Sequence, residues 1–239
     1  MNWKKLCAIG VHTYTCVGVV LAFVAALALM DENIQVFLTA LWLAVIIDAT
    51  DGTMARSCDV KTVLPGFDGS RLDDLIDYLT YAFLPAMGLV KFGVLSPETT
   101  WAAVVPILAS AYGFCQENAK TEESFVGFPS YWNVVFLYLY VLPVPEPAMV
   151  ALLLILSILV FIPIEYIYPS KTRWLRVPTL SMSCSYGLLI GAVCLFPRAE
   201  WARGAVLLSL IYPVYYAVVS VMYTQKIRKK ELMAQGWDA

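Results

Sequence analysis

Between Asp48 and Asp77 the chain reads DATDGTMARSCDVKTVLPGFDGSRLDDLID, which sets at least four carboxylates at the edges of two long apolar stretches. Ionisable groups beside lipid are costly and mark function by default. Asp48, Asp51, Gly52, Ala55 and Arg56 fall at i, i+3, i+4, i+7 and i+8, a single stripe on an α-helix. Gly69, Asp73 and Asp77 form a second stripe at i, i+4 and i+8. Two helices facing each other through these stripes would crowd four carboxylates into one small volume, which repulsion forbids unless cations neutralise them. The simplest occupants are one or two hard, oxygen-liking divalent ions such as magnesium or manganese. Gly52 and Ala55 lack bulk, so a flat ligand can lie against that stripe, and the planar fork of Arg56 suits a phosphate. Asp59 and Asp68 are loop residues, and Asp74 points away from Asp73 by about 100°; all three stay outside the expected ligand set.

The elements that must position these groups are membrane helices. At 60% hydrophobic and 14% charged over 239 residues, with a mean hydropathy of +0.72, the chain is far more apolar than a soluble domain. It reads as one all-α, polytopic helical bundle spanning residues 1–239. Eight spans are expected: Ala8–Met30, Asn33–Ala55, Leu72–Leu95, Thr100–Cys115, Tyr131–Leu142, Ala148–Tyr168, Trp174–Phe196 and Ala202–Tyr223. The fifth is short before Pro143, Pro145 and Pro147, so it either recruits 127–130 or packs inside the bundle. The first follows Lys4 and Lys5 but has no convincing cleavage site, and is read as an uncleaved helix.

With the N-terminus in the cytoplasm, all sixteen Lys and Arg residues except Lys91, Arg198 and Arg203 fall on the inner side. Both termini and the carboxylates are then cytoplasmic. A net charge of −2 gives no reason to expect a nucleic-acid partner. The six cysteines form no C-x-x-C pair and read as small core residues rather than disulfides or zinc ligands. His12, the only histidine, reads as a hydrogen-bonded core residue.

The pattern Asp-x-x-Asp-Gly-x-x-Ala-Arg followed by Gly-x-x-x-Asp-x-x-x-Asp resembles the signature of the CDP-alcohol phosphotransferase family, membrane enzymes that move a phosphoryl-linked group out of a CDP-activated alcohol. Twelve residues separate Arg56 from Gly69, more than is usual in the family. Starting at Gly66 instead would put Ser70 and Asp74 where two Asp are required. The longer gap, with the stretch Tyr112 to Asn133, resembles the bacterial branch that joins choline directly to CDP-diacylglycerol.

That resemblance implies an inner-membrane enzyme with CDP-diacylglycerol and choline as substrates, and it leaves room for a homodimer. It also implies a divalent metal, manganese or magnesium, as a pair of ions. Asp48, Asp51, Asp73 and Asp77 become the metal ligands, with Asp77 also the general base. Asp48, Gly52, Ala55, Arg56, Gly69 and, from the QENAKTEES loop, Lys120 become the CDP contacts. A quaternary ammonium is held by ring faces, and Tyr78, Tyr81, Tyr112, Tyr131 and Trp132 are the candidate rings. Serine or another small alcohol is the alternative acceptor. A cation transporter is the alternative from another class; it would place the carboxylates near the midplane.

Overall fold

The computed structural model describes residues 3–117, 119–121 and 123–234, so Met1 and Asn2, the C-terminal end after Ala234, and Asn118 and Glu122 of the QENAKTEES loop lie outside the described residues. Two long helices, α1 (Trp3–Met30) and α2 (Ile34–Ser57), form a hairpin whose turn is closed by Asn33, the Oδ1 of which accepts from Val36 N at 3.2 Å. Ala8, Val11, Thr15, Gly18, Ala22, Ala25 and Leu29 of α1 are buried at alternating steps of three and four. This seam of mostly small side chains lets neighbouring backbones come close. The opposite face, with Val19, Val20 and Phe23, is exposed and apolar, the surface that lipid covers. Among the described residues four helices are long and apolar enough to cross a membrane, and the chain is a polytopic helical membrane protein.

After a one-turn helix, α3 (Val60–Val63), Asp68 caps α4 (Gly69–Asp77) by accepting from Ser70 N and Arg71 N. A π-helical stretch, Tyr78–Phe83, then leads into α5 (Leu84–Lys91). Pro85 accounts for the widened turn: its ring cannot sit over the carbonyl four residues back, and the longer repeat relieves that clash immediately after Asp77. A 3-10 turn, Thr100–Ala103, precedes α6 (Val104–Phe114). The fifth expected span is α7 (Trp132–Val141), only ten residues long. It packs inside the bundle with Trp132, Phe136 and Leu137 buried, the second of the two outcomes its length allowed.

The sixth span is shorter than expected. It runs as α8 (Glu146–Leu159) and stops before Pro163, and residues to Tyr168 leave the helix. There β1 (Ser124–Val126) pairs antiparallel with β2 (Glu165–Ile167), two short strands in an otherwise helical protein. The end of α8 is capped by this ribbon, Leu159 O accepting from Phe128 N at 3.0 Å. Gly127, at φ +85°, makes the approach possible, because a Cβ there would lie 2.2 Å from Val160 O.

α9 (Arg176–Leu195) packs on α2 through Gly191, where a Cβ would meet the Trp42 ring at 2.3 Å. Trp42 Nε1 donates to Gly187 O at 3.0 Å. The last span breaks once, at Leu210 between α10 (Ala202–Ser209) and α11 (Ile211–Ala234), beside the Ser209 carbonyl with which the Pro213 ring would otherwise clash.

The cysteines depart from expectation. Cys194 is buried, but Cys16, Cys115 and Cys184 are exposed, and Cys7 is disulfide-bonded to Cys58 with a Cα–Cα distance of 6.0 Å. The chain folds α3 back onto the start of α1, where Ala8, Val11 and Val60 form a small apolar cluster, and that fold-back joins positions 51 residues apart.

Gly127→Ala tests the ribbon. A non-glycine residue at this φ costs about 1–3 kcal/mol before the backbone contact is counted, so the thermal midpoint in detergent should fall by roughly 4 °C or more. An unchanged midpoint would mean that the ribbon does not cap α8.

Candidate active site

Residues late in α2 and along α4 bring three carboxylates together: one oxygen each from Asp48, Asp73 and Asp77 lie within 4.8 Å of one another. Asp77 is buried and faces away from solvent at the end of α4, where the chain passes into its π-helical stretch. Tyr81, buried within that stretch, donates its Oη to Asp48 Oδ2 at 2.7 Å. That bond ties the α2 carboxylate to the α4 pair. Three acidic oxygens at this separation suit a hard cation, whose octahedral shell spans about 4 Å from one oxygen to its opposite.

Asp51 stands apart from this trio. It is buried, and its Oδ2 accepts from Thr15 Oγ1 at 2.8 Å. Gly69, expected in the same stripe as Asp73, is instead covered by His12, whose Cε1 would lie 2.6 Å from a Cβ at that position. Gly18 in turn takes the Ile76 side chain, 2.7 Å from its would-be Cβ. Helix α1 therefore runs between the two stripes through His12, Thr15 and Gly18, so only the ends nearest Asp48 and Asp77 meet. His12 packs against the Phe67 ring at 4.3 Å, but its buried Nε2 has no hydrogen-bond partner, so the hydrogen-bonded role expected for it is not what the structure shows.

A cavity of about 320 Å³ opens beside the three carboxylates. Asp48, Asp73, Asp77, Lys120, Tyr81 and Tyr131 line it, as do Asp74, Glu117, Phe125, Phe128 and Tyr168. Lys120 reaches in from its loop, with Nζ 2.6 Å from Asp74 Oδ1 and 3.5 Å from Asp73 Oδ2. Burial acts to lower the pKa of its ammonium, but Asp73, Asp77 and Asp74 outweigh that and hold it above the ordinary lysine value. Asp74, left out of the site on helical geometry, is thus drawn to its edge by a partner forty-six residues away.

Other expected residues lie elsewhere. Gly52, Ala55, Arg56 and Gly69 do not line the cavity. Arg56 is exposed and donates to Thr53 Oγ1 at 2.9 Å, one turn from Gly52. Tyr78 turns toward α6, its Oη 3.4 Å from Ile107 O. Tyr112 is 55% exposed, with its ring centroid 5.0 Å from that of Phe161. Trp132 is buried and donates Nε1 to Ser110 Oγ at 2.7 Å, which packs it into the bundle behind the cavity.

The aromatic wall comes instead from Tyr81 and Tyr131, joined by Phe125, Phe128 and Tyr168. Tyr131 lies 6.0 Å from Tyr81 at 45° and 6.5 Å from Phe128 at 81° between ring planes, so the three meet at corners rather than in a stack. Sequence reading missed Phe125, Phe128 and Tyr168. Their one local signal is the Gly127-Phe128-Pro129 turn, which announces a fixed loop but not where it points.

The lysine sits where several carboxylates would otherwise face one another, so its loss should be felt most without metal. Lys120→Met is expected to lower the thermal midpoint in EDTA by a few degrees, about 1 kcal/mol for a part-exposed pair, with millimolar Mn²⁺ closing the gap. Equal loss with and without Mn²⁺ would make Lys120 a packing residue only.

A protein-family model described as CDP-alcohol phosphatidyltransferase matches residues 11–224. The chain is similar to a phosphatidylcholine synthase of Pseudomonas aeruginosa, 42% identical over 193 residues that cover 78% of this chain and 81% of that protein. It is similar also to one of Legionella pneumophila, 39% identical over 90% of this chain and 87% of the relative. A phosphatidylcholine synthase of Borreliella burgdorferi is 32% identical over 92% and 95% of the two chains.

Proposed function

Because the chain belongs to the CDP-alcohol phosphatidyltransferase family, we propose that its cavity transfers the phosphatidyl group of CDP-diacylglycerol to choline, giving phosphatidylcholine and CMP. The observation that carries this reading is the joining, in one cavity, of three carboxylates at metal-holding distance and a wall of aromatic rings. Asp48, Asp73 and Asp77 would hold a divalent metal, manganese or magnesium. Asp51, whose Oδ2 accepts from Thr15 Oγ1, would be the carboxylate available to a second ion. Bound there, the metal supplies neutralising charge to the pyrophosphate and to the departing CMP. Tyr81 holds Asp48 in place through its hydroxyl. Asp77 takes the proton of the choline hydroxyl while the choline oxygen bonds to the diacylglycerol-linked phosphorus. The bond from that phosphorus to the bridging oxygen breaks, and CMP leaves with the electron pair. Lys120, beside Asp73 and Asp74, would donate to phosphate oxygens of the nucleotide-linked lipid.

Choline's trimethylammonium offers no hydrogen-bond donor, so ring faces and carboxylates are what can hold it. Tyr81, Phe128 and Tyr131 meet at the angles of adjoining walls of a box, and Tyr168 extends the wall.

The test is purified protein with CDP-diacylglycerol, Mn²⁺ or Mg²⁺, and labelled choline or serine. Choline should be strongly preferred, and EDTA should abolish turnover. Asp77→Asn should lower turnover by about 10²–10⁴-fold. Phe128→Ala and Tyr131→Ala should each raise the choline KM by the equivalent of roughly 0.5–2 kcal/mol with little change for CDP-diacylglycerol. Preference for serine would overturn the acceptor, and wild-type turnover in Asp77→Asn would overturn the base.

The charge distribution supports an inner-membrane placement with the carboxylate end in the cytoplasm. The reducing cytoplasm would then keep Cys7 and Cys58 as neighbouring thiols, with Ala8, Val11 and Val60 holding that corner together. A cysteine placed at the exposed Thr62 should react with an impermeant maleimide in inside-out vesicles and not in intact cells. Labelling in intact cells would reverse the orientation.

A further inference from the structure

A second cavity, of about 380 Å³, shares no lining residue with the first. It lies between the loop after β2, which supplies Arg173 and Trp174, and the last turns of α11, which supply Tyr223, Lys226, Ile227 and Lys230; Glu123 closes it. Three cations thus face one carboxylate, and that carboxylate is already engaged. Tyr223 Oη donates to Glu123 Oε2 at 3.0 Å, and Arg173 Nε lies 3.7 Å from Oε1. Lys226 Nζ sits 4.9 Å over the Trp174 ring, and among the described residues neither Lys226 nor Lys230 has an ion-pair partner.

Lys226 and Lys230 are i and i+4 on one helix face, where like charges repel. An anion between them relieves that repulsion. The depth of the cavity indicates which anion. The apolar run of α11 ends at Tyr223, and the cationic turns begin three residues later. Trp174, stacked on Tyr223 at 21° between ring planes, gives the cavity an aromatic side of the kind found at the level of lipid head groups. A basic pocket at that level meets lipid phosphate before any soluble anion.

We propose that this cavity binds the phosphate of an anionic phospholipid, separately from the substrate cavity, with Arg173, Lys226 and Lys230 as the phosphate contacts. The inference rests on the membrane setting of the chain and not on choline as acceptor. The shared chemistry is a phosphate group, and free phosphate is the other source of it.

The test is a native mass-spectrometric titration of the delipidated full-length protein with phosphatidylglycerol and with phosphatidylcholine, and with inorganic phosphate as competitor. The wild-type protein should retain one phosphatidylglycerol in preference to phosphatidylcholine, and millimolar phosphate should not displace it. At about fivefold per basic residue, the combined Arg173→Gln, Lys226→Gln and Lys230→Gln variant should bind it roughly 100-fold more weakly, while Lys229→Gln, outside the lining, should change it far less. If the combined variant does not fold, Lys226→Gln alone should show the fivefold loss. Equal weakening in Lys229→Gln and Lys226→Gln would reduce the site to a general basic surface. Displacement by phosphate would assign the pocket to a free anion and overturn the lipid.

Discussion

Mutual repulsion of carboxylates at the edge of an apolar bundle is the constraint on which the rest of this structure depends. Two unit charges 4 Å apart interact by about 4 kcal/mol at an effective dielectric constant of 20, so Asp48, Asp73 and Asp77 cannot sit as they do without compensation. The chain provides it twice. Tyr81 donates to Asp48 from within the same helical span as Asp77, and Lys120 arrives from a distant loop to face Asp73 and Asp74. Both devices are local in space and remote in sequence, and both line the cavity beside the carboxylates they engage.

Holding the acidic helices at this distance is the work of α1, which looks the least specialised in the chain. Its buried seam of small residues admits α2 on one side, and Gly18 and His12 receive Ile76 and Gly69 of α4 on the other. Thr15, at the centre of the seam, holds Asp51. A bulkier seam would push α2 and α4 apart, and the oxygens now within 4.8 Å would no longer share one site. The ribbon of β1 and β2 does a similar service for the aromatic wall. It ends α8 early, passes Gly127 against Val160, and so aims Phe125 and Phe128 at the carboxylates.

What was legible in the sequence followed from repeats along a single helix. The spacing of Asp48 with Asp51, and of Asp73 with Asp77, fixed the helical faces, and Asp48, Asp73 and Asp77 do converge. The burial of the short α7 followed from its brief apolar run and the prolines after it, whereas eight full-length spans did not appear: among the described residues four helices are long and apolar enough to cross a membrane, and the other apolar runs form shorter helices. Contacts between distant elements were not legible. Asp51 reads like its neighbours until Thr15 is seen beside it, and Gly69 reads as a ligand contact until His12 covers it. Tyr78 and Trp132 lie close in sequence to the site, yet the π-helical turn and the packing of α7 direct them elsewhere, and Tyr112 of α6 packs on Phe161 instead. The end of α8 was misjudged because its apolar composition continues past Pro163 while its hydrogen bonds do not.

The proposed acceptor also follows from what the cavity does not offer. Asp48, Asp73, Asp74, Asp77 and Glu117 line it, and Lys120, its one cation among the described residues, lies beside Asp73 and Asp74. An amino-acid acceptor would bring its own carboxylate into this surround, and at roughly 6 Å each like-charge pair costs close to 3 kcal/mol at the same effective dielectric constant. One divalent ion offsets part of that, but the pyrophosphate competes for the same charge. A quaternary ammonium meets the opposite field: the carboxylates attract it, the rings of Tyr131 and Phe128 line the same cavity, and no donor on the ligand is left unpaired. Selectivity for choline over serine would then rest on repulsion at least as much as on fit, and the carboxylates that hold the metal would also set the sign of the acceptor.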